Sequence, residues 1–293
     1  MKPSSVLNTE VVCLRECVDS FQKSIRLNTG YQSKKEVKMP ETRVAAQLYT
    51  LREMLRTPEE IASTLKKVKE IGYDAVQLSG LGPIDTKQLK GILDEEKLEA
   101  CATHTPLSRL LNETEAVIEE HRILNCRYIA CPSLPPEYHN EEGFKRAARE
   151  LSEVGKKLKE AGIVLAYHNH GFEFEKFGSR TGLEILYEES DAEYLQGEID
   201  TYWVQYGGGD PAKWCLYLKN RLPLVHLKDM GIKENKQIMM EVGEGNLNWE
   251  AIIHACKEAG TIYYIIEQDI CQRPPLESLK ISLENVKKML DLF

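Results

Sequence analysis

The chain is predicted to be an α/β protein folded as a (β/α)8 TIM barrel with an N-terminal helical extension. Three observations predict it. From Arg43 onward, eight apolar runs of strand length alternate strictly with eight helical stretches, and parallel strands joined by crossover helices can close into such a barrel. The last four runs each carry a metal-type ligand near the C-terminal end. His168 and His170 close 163–170, Asp200 closes 194–200, His226 lies in 222–228, and Glu267 closes 261–267. Finally, no G-x-G-x-x-G follows the first run and no G-x-x-x-x-G-K-[ST] occurs, which argues against a doubly wound nucleotide-binding sheet.

A length of 293 residues suits one large barrel, whose core needs no disulfides. The eight cysteines include no C-x-x-C pair and read as reduced thiols of a cytoplasmic protein. The net charge is −8 and the pI about 5.6, which argues against a nucleic-acid partner. No apolar run is long enough to span a bilayer, so no membrane partner is expected. The N-terminus lacks the apolar core of a signal peptide.

Residues 1–40 stand apart from the barrel, which is expected over 41–293. Val11, Leu14, Val18, Phe21 and Ile25 draw one apolar stripe on a helix, and 28–40 reads as a polar linker. The helix could dock on the barrel, plug its bottom, or form a contact between two copies. Alternatively, translation begins at Met39, just before the first strand.

The barrel elements follow in order. Strand one is 44–49. Thr57-Pro58-Glu59-Glu60 opens a helix with a capping hydroxyl, a first-turn proline and acids at the positive end of the dipole, and Gly72 ends it. Strand two is 74–79, and Asp85 caps a helix to about Lys97. Strand three is 99–104, with a helix from about Asn112 to Leu124. Strand four, 127–131, is stopped by Pro132, and a long helix over 141–161 is closed by Gly162. Strand five is 163–170, its apolar side chains alternating between two faces before the imidazoles. A short helix at 182–189 leads to strand six, 194–200. Gly207–Gly209 form a flexible loop before a helix opened by Asp210-Pro211. Strand seven is 222–228. A long excursion, 229–246, precedes a helix over 248–259. Strand eight is 261–267, and 276–292 is the last helix.

In such barrels the strand C-termini carry the active site. That is where His104, His168, His170, Asp200, His226 and Glu267 fall. Imidazole with carboxylate oxygen suits Mn²⁺ first, with Co²⁺, Zn²⁺, Fe²⁺ or Mg²⁺ as alternatives. Glu267 follows Ile262-Tyr263-Tyr264-Ile265-Ile266, and a carboxylate ending a buried run needs a partner.

Several segments carry a family resemblance. They are Gln47-Leu48-Tyr49-Thr50, Tyr167-His168-Asn169-His170-Gly171-Phe172-Glu173-Phe174, Asp200-Thr201-Tyr202-Trp203, His226-Leu227-Lys228-Asp229, Val242-Gly243-Glu244-Gly245 and Glu267-Gln268-Asp269. Over about 42–293 the chain resembles the xylose-isomerase-like barrels of the sugar phosphate isomerase/epimerase type, relatives of D-tagatose 3-epimerase and inosose dehydratase. The resemblance implies a metal held by Asp200, His226, Glu267 and a fourth ligand from strand five. The epimerases have a glutamate there. This chain has His168, with His170 and Glu173 as rivals, and the His-rich ending resembles inosose dehydratase instead.

The resemblance also implies chelation of a carbonyl and an adjacent hydroxyl at the metal, followed by an enediolate. Glu267 would act as a catalytic base, with His170 or Glu173 on the opposite face. By its place at the end of strand three, His104 would contact a substrate hydroxyl or be a hydrogen-bonded core histidine. Lys228 would bind an oxyanion, or else pair with Glu198 or Asp229. Trp203 and Tyr49, aromatics beside strand ends, would stack on a sugar face or serve packing. Glu198 points inward by parity with Asp200 and would form a buried hydrogen-bonded pair. His121, His139 and His254 read as surface residues.

The leading expectation is a metal-dependent isomerase or epimerase of a keto-sugar or polyol ketone. The second is a lyase or dehydratase acting on a keto-inositol or 3-keto-glycoside. A DNA-repair endonuclease would need more metal ligands and a basic face; a non-catalytic sugar-binding barrel would need no metal. The expected partner is a small sugar, and assembly as a homo-oligomer is left open.

Overall fold

Eight parallel strands close on themselves, each hydrogen-bonded to two neighbours. The computed structural model describes residues 43–293. The strands are β1 (Arg43–Gln47), β2 (Ala75–Leu78), β3 (Glu99–His104), β4 (Tyr128–Cys131), β5 (Val164–His168), β6 (Leu195–Asp200), β7 (Leu224–Leu227) and β8 (Tyr263–Ile266). Eight helices alternate with them: α1 (Pro58–Ile71), α2 (Thr86–Glu95), α3 (Thr114–Leu124), α4 (Glu141–Glu160), α5 (Gly182–Glu189), α6 (Pro211–Tyr217), α7 (Trp249–Ala259) and α8 (Pro275–Leu292). Closure is made by β8 pairing in parallel with β1, Ile265 opposite Ala45. None of the described helices is long and apolar enough to cross a membrane.

The local chemistry explains the helix boundaries. Thr57 accepts the Glu60 N–H, Asp85 accepts from Lys87 and Gln88, and Asn140 accepts from Gly143. Thr181 and Glu184 form a reciprocal capping box at α5. Gly72, at φ 109°, ends α1 in the left-handed region that glycine tolerates.

Side-chain alternation splits the strands between two cores. Ile129, Leu165, Ile199, Val225, Tyr264 and Ile266 point outward and pack under the helices. Ala45, Ala75, Ala102, Ala130, Ala166, Leu224 and Ile265 point inward. Five of the ten buried residues of this inner cluster are alanines, which leaves the barrel room for longer polar side chains above them. Those are Gln47, Gln77, His104, His168, Glu198 and His226, the next inward positions toward the strand C-termini. All are buried except the half-buried His104.

The strands are shorter than the apolar runs suggest, for identifiable reasons. β1 stops at Gln47 because its side chain accepts the Tyr49 N–H and turns the chain into a 3₁₀ helix, Leu48–Met54. β5 stops at His168, before His170: Asn169 is fully buried and its Oδ1 accepts the Asp200 N–H, tying β5 to β6. The stretch before α3 holds an additional helix, Leu107–Asn112, broken at Glu113. The excursion after β7 contains an antiparallel hairpin, Asp229–Lys233 with Lys236–Met240. The expected N-terminal helix and linker lie outside the described residues.

Candidate active site and metal centre

The polar layer ends upward in four side chains that converge. One ligand atom each from His168, Asp200, His226 and Glu267 lies within 4.8 Å of the others. They come from the ends of four consecutive strands, and register accounts for the meeting: Asp200 stands opposite His226, and Ile265, two before Glu267, also stands opposite His226. The two oxygens of Asp200 are divided. Oδ1 caps the short helix Thr201–Tyr206 by accepting the Trp203 N–H at 3.0 Å. Oδ2 is buried and points at the centre, where the Lys228 ammonium faces it at 2.9 Å. His226 Nδ1 lies 2.9 Å from Glu267 Oε2.

Lys228 completes the centre. It is buried, and its Nζ lies 2.9 Å from Asp200 Oδ2, 2.7 Å from Glu267 Oε2 and 2.8 Å from Asp269 Oδ2. This corrects the expected pairing with Glu198 or Asp229. Asp229 is instead taken up by N–H donors. It accepts from the backbones of Met230, Gly243, Gly245 and Leu247 and from the Trp249 indole. Thr201 Oγ1 bonds the backbones of His226 and Lys228, fixing where that stretch leaves the barrel.

The protonation pattern follows from burial and charge. Burial pushes the Asp200 carboxyl up to about 6, against the pull of Lys228. Burial also works to raise Glu267, but Lys228 and His226 outweigh it and hold that carboxyl well below the usual range. One ammonium cannot fully stabilise two adjacent carboxylates, so the pair splits. Burial lowers His168 far below an ordinary imidazole, and it lowers His170 to about 4. For His226, burial is outweighed by Glu198 and Glu267, which raise it to about 10.

A profile of the xylose isomerase-like TIM barrel family matches residues 65–289. The chain belongs to the xylose isomerase-like TIM barrel family. Among curated relatives, the rhizopine catabolism protein MocC of Rhizobium meliloti is 23% identical over 269 residues, covering 77% of this chain and 80% of that protein. The inosose dehydratase of Lacticaseibacillus casei is 24% identical over 264 residues, covering 75% of this chain and 85% of that enzyme. A sugar phosphate isomerase/epimerase from Parabacteroides distasonis has a similar solved structure. Its TM-score is 0.70 at 23% identity, covering 86% of this chain and 95% of that one. The solved IolI protein, which carries a zinc atom, has a TM-score of 0.64 at 12% identity, covering 86% of this chain and 99% of that one.

The donor set of this xylose isomerase-like barrel fits a divalent cation. Two imidazoles and two carboxylates are an ordinary ligand set for one. Two buried polar side-chain atoms at this mouth, His170 Nδ1 and Trp203 Nε1, lack a partner among the described residues. Unpartnered buried polar atoms are costly, so this mouth is suited to taking up a polar group.

The remaining expected site residues separate. His104 reaches the centre, its Nε2 2.7 Å from Glu198 Oε2 and its ring 5.0 Å from that of His168. Half-buried His170 sits edge-on to His168 and 5.4 Å from the Trp203 ring. The Trp203 ring lies beneath the Lys228 ammonium, at 5.6 Å. Tyr49 is 39% exposed at the rim, under the Arg52 guanidinium. Glu173 is not in the converging group. It is wholly buried, and its carboxylate accepts the Tyr167 hydroxyl at 2.8 Å and the His170 N–H at 2.9 Å. Tyr167 points outward from β5, so Glu173 is held on the far side of that strand, where burial raises it to about 7.

His121 is no surface residue: it is buried, with Nδ1 2.7 Å from the Val117 carbonyl and Nε2 2.9 Å from Thr103 Oγ1. His139 is half-buried and stacks on Phe172, while His254 is exposed. Sequence reading also overlooked Gln77, whose amide joins His226 to Glu198. The signal was available in the inward parity of β2.

A cavity of about 570 Å³ lined by Arg127, Tyr128, Gln196 and Asn220 lies at the opposite, N-terminal end of the strands. It holds no cluster of metal-type ligands, so size alone does not mark the chemistry.

Proposed function

We propose that this protein is a metal-dependent dehydratase of a keto-inositol or a related cyclic polyol ketone. The carrying observation is the asymmetry of the mouth: Glu267 is the only glutamate in the converging quartet, and His168 holds the strand-five place. The inosose dehydratases among the relatives support the same substrate class. A divalent cation bound by His168, Asp200, His226 and Glu267 would supply Lewis acidity toward the substrate carbonyl.

The chain's own residues account for the proton movement. Glu267, kept ionised by Lys228 and His226, is the base for the α C–H. The same carboxyl then hands that proton to the departing β-hydroxyl. The C–O bond breaks, water leaves, and an enone remains. Elimination on one face therefore needs a single proton carrier. Epimerisation needs a second carrier on the opposite face, and Glu173 is committed to Tyr167 and His170 instead. Lys228 holds Asp200, Glu267 and Asp269 together and balances charge developing on oxygen. Trp203 offers a ring face and a free indole N–H to the polyol.

One observation favours the second reading, an isomerase or epimerase of a keto-sugar. His170 Nδ1 is unpartnered and its imidazole is kept neutral, so it offers a base distinct from Glu267. A screen of inososes and keto-sugars with Mn²⁺ in D₂O, followed by NMR and ultraviolet absorbance, separates the two. A chelator-sensitive enone supports the dehydratase. Solvent deuterium in recovered ketone without loss of water supports the second reading, and no turnover of either class refutes both.

A further inference from the structure

We propose that Gln47, Gln77 and Glu198 form a tautomer clamp, a set of positioning residues that decides which nitrogen of His168 and of His226 faces the cation site. The inference rests on the reading of His168, Asp200, His226 and Glu267 as that site.

The clamp can be deduced one atom at a time from a single backbone amide. Gln47 Oε1 accepts the Tyr49 N–H at 3.2 Å. Its amide nitrogen must then face inward, where it lies 2.8 Å from Gln77 Oε1 and 3.5 Å from His104 Nδ1. Gln77 Nε2 lies 2.6 Å from Glu198 Oε1. A carboxylate only accepts, so flipping that amide would set oxygen against oxygen. Gln77 Oε1 is therefore held toward His226 Nε2, at 2.6 Å, and demands a proton there. The other nitrogen, Nδ1, faces Glu267 and Asp200, at 2.9 and 4.0 Å.

Glu198 imposes the same order on β5. Its Oε2 lies 2.7 Å from His104 Nε2 and 3.4 Å from His168 Nδ1. His104 Nδ1 accepts from Gln47, so its proton sits on Nε2 and points at Glu198. His168 Nδ1 has no other acceptor, while its Nε2 lies 3.9 Å from Asp200 Oδ2. With a cation bound, both ligand imidazoles would thus turn an N–H down toward the clamp and a lone pair up; without one, His226 Nδ1 faces the Glu267 carboxylate as a donor. Such outer partners of metal-binding histidines set ring orientation and raise ligand basicity.

The competing assignment is a second ion held by His104, His168, Glu198 and His226, whose ligand atoms also lie within 4.8 Å of one another. It would use the lower nitrogens and the Glu198 oxygens, against the hydrogen bonds just described.

The test uses the full chain loaded with zinc and labelled with ¹⁵N-histidine. Long-range ¹H–¹⁵N spectra are expected to show His226 bound through Nδ1 and His168 through Nε2, with one zinc per chain. In Glu198→Gln an amide N–H replaces Oε2, so His168 is expected to adopt the opposite tautomer and zinc affinity to fall about 10–100-fold in chelator competition. Gln77→Leu is expected to weaken zinc similarly through His226, and it stands as the second variant should Glu198→Gln not fold. Ligation through the lower nitrogens, two zinc ions per chain, or unchanged affinity in both variants overturns the clamp. The cation-site reading fails separately: zinc then binds wild type and Glu267→Gln alike, and the clamp falls with it. Affinity lost in Glu267→Gln but kept in both clamp variants overturns the clamp alone.

Discussion

Removing the Lys228 ammonium should destabilise the metal-free protein and strengthen metal binding at the same time. Lys228 is 1% exposed and lies 2.7 to 2.9 Å from three carboxylate oxygens. At an effective dielectric of about 20, each contact is worth roughly 6 kcal/mol before desolvation is subtracted. Removing one partner of a buried ion pair costs about 3–5 kcal/mol in practice, because the stranded charge remains. In Lys228→Met, Asp200 and Glu267 would lose the ammonium between them and keep only the His226 imidazole as a positive neighbour, at 4.0 and 2.9 Å. For a protein of this size, about 2–4 °C is lost per kcal/mol, so the metal-free variant should melt roughly 6–20 °C below wild type. A divalent cation neutralises the same two oxygens, so saturating Mn²⁺ should close most of that gap. The variant should also bind Mn²⁺ more tightly, since no ammonium competes. Thermal unfolding with and without Mn²⁺, with affinity from calorimetry, measures both. Equal melting of the metal-free proteins, or an equal Mn²⁺ shift in both, would refute the reasoning.

Three further outcomes are expected. Glu267→Gln, which removes a base and a cation ligand together, should lower turnover by at least about 10²-fold, the lower end of a positioned general base's usual worth, in steady-state assays at saturating Mn²⁺ with whichever ketone the screen identifies. Glu173 keeps its proton in the fold up to about pH 7 but loses it near 4.5 when unfolded, so it costs stability as pH rises through that window and contributes no further slope above it. The ceiling is about 3 kcal/mol at 1.36 kcal/mol per tenfold in proton affinity, and Glu173→Gln should flatten that part of the denaturant-derived stability profile between pH 4.5 and 7.5. A Cβ at Gly245 would lie 2.3 Å from Asp229 Oδ1. Gly245→Ala should therefore cost about 1–3 kcal/mol by overpacking, seen as a lower melting temperature.

The barrel was legible because its signals are local. Thr57, Asp85, Asp210 and Asn248 cap the helices they precede, and apolar runs mark the strands. The meeting of Asp200, His226 and Glu267 was legible too, since strand ends in a closed barrel lie side by side. What escaped depends on distances across the barrel. Lys228 chose Asp269, forty-one residues away, over the adjacent Asp229, because Asp229 already holds five N–H donors. The Glu173 position followed from where β5 stops: ending at His168 rather than His170 moves the next turn outward, behind Tyr167. His121 looked like a surface residue on an exposed helix, but Thr103 and Val117 supply its two partners inside.

The divided duty of Asp200 bears on how much room a substrate finds. With Oδ1 committed to starting the helix at Thr201, Oδ2 is the atom that side chain would offer an ion first. A two-atom grip would unseat the Trp203 amide and slacken the wall on which a sugar ring would rest. A helix cap thus limits what Asp200 would offer a cation, which would leave room beside the ion for oxygens of a bound substrate.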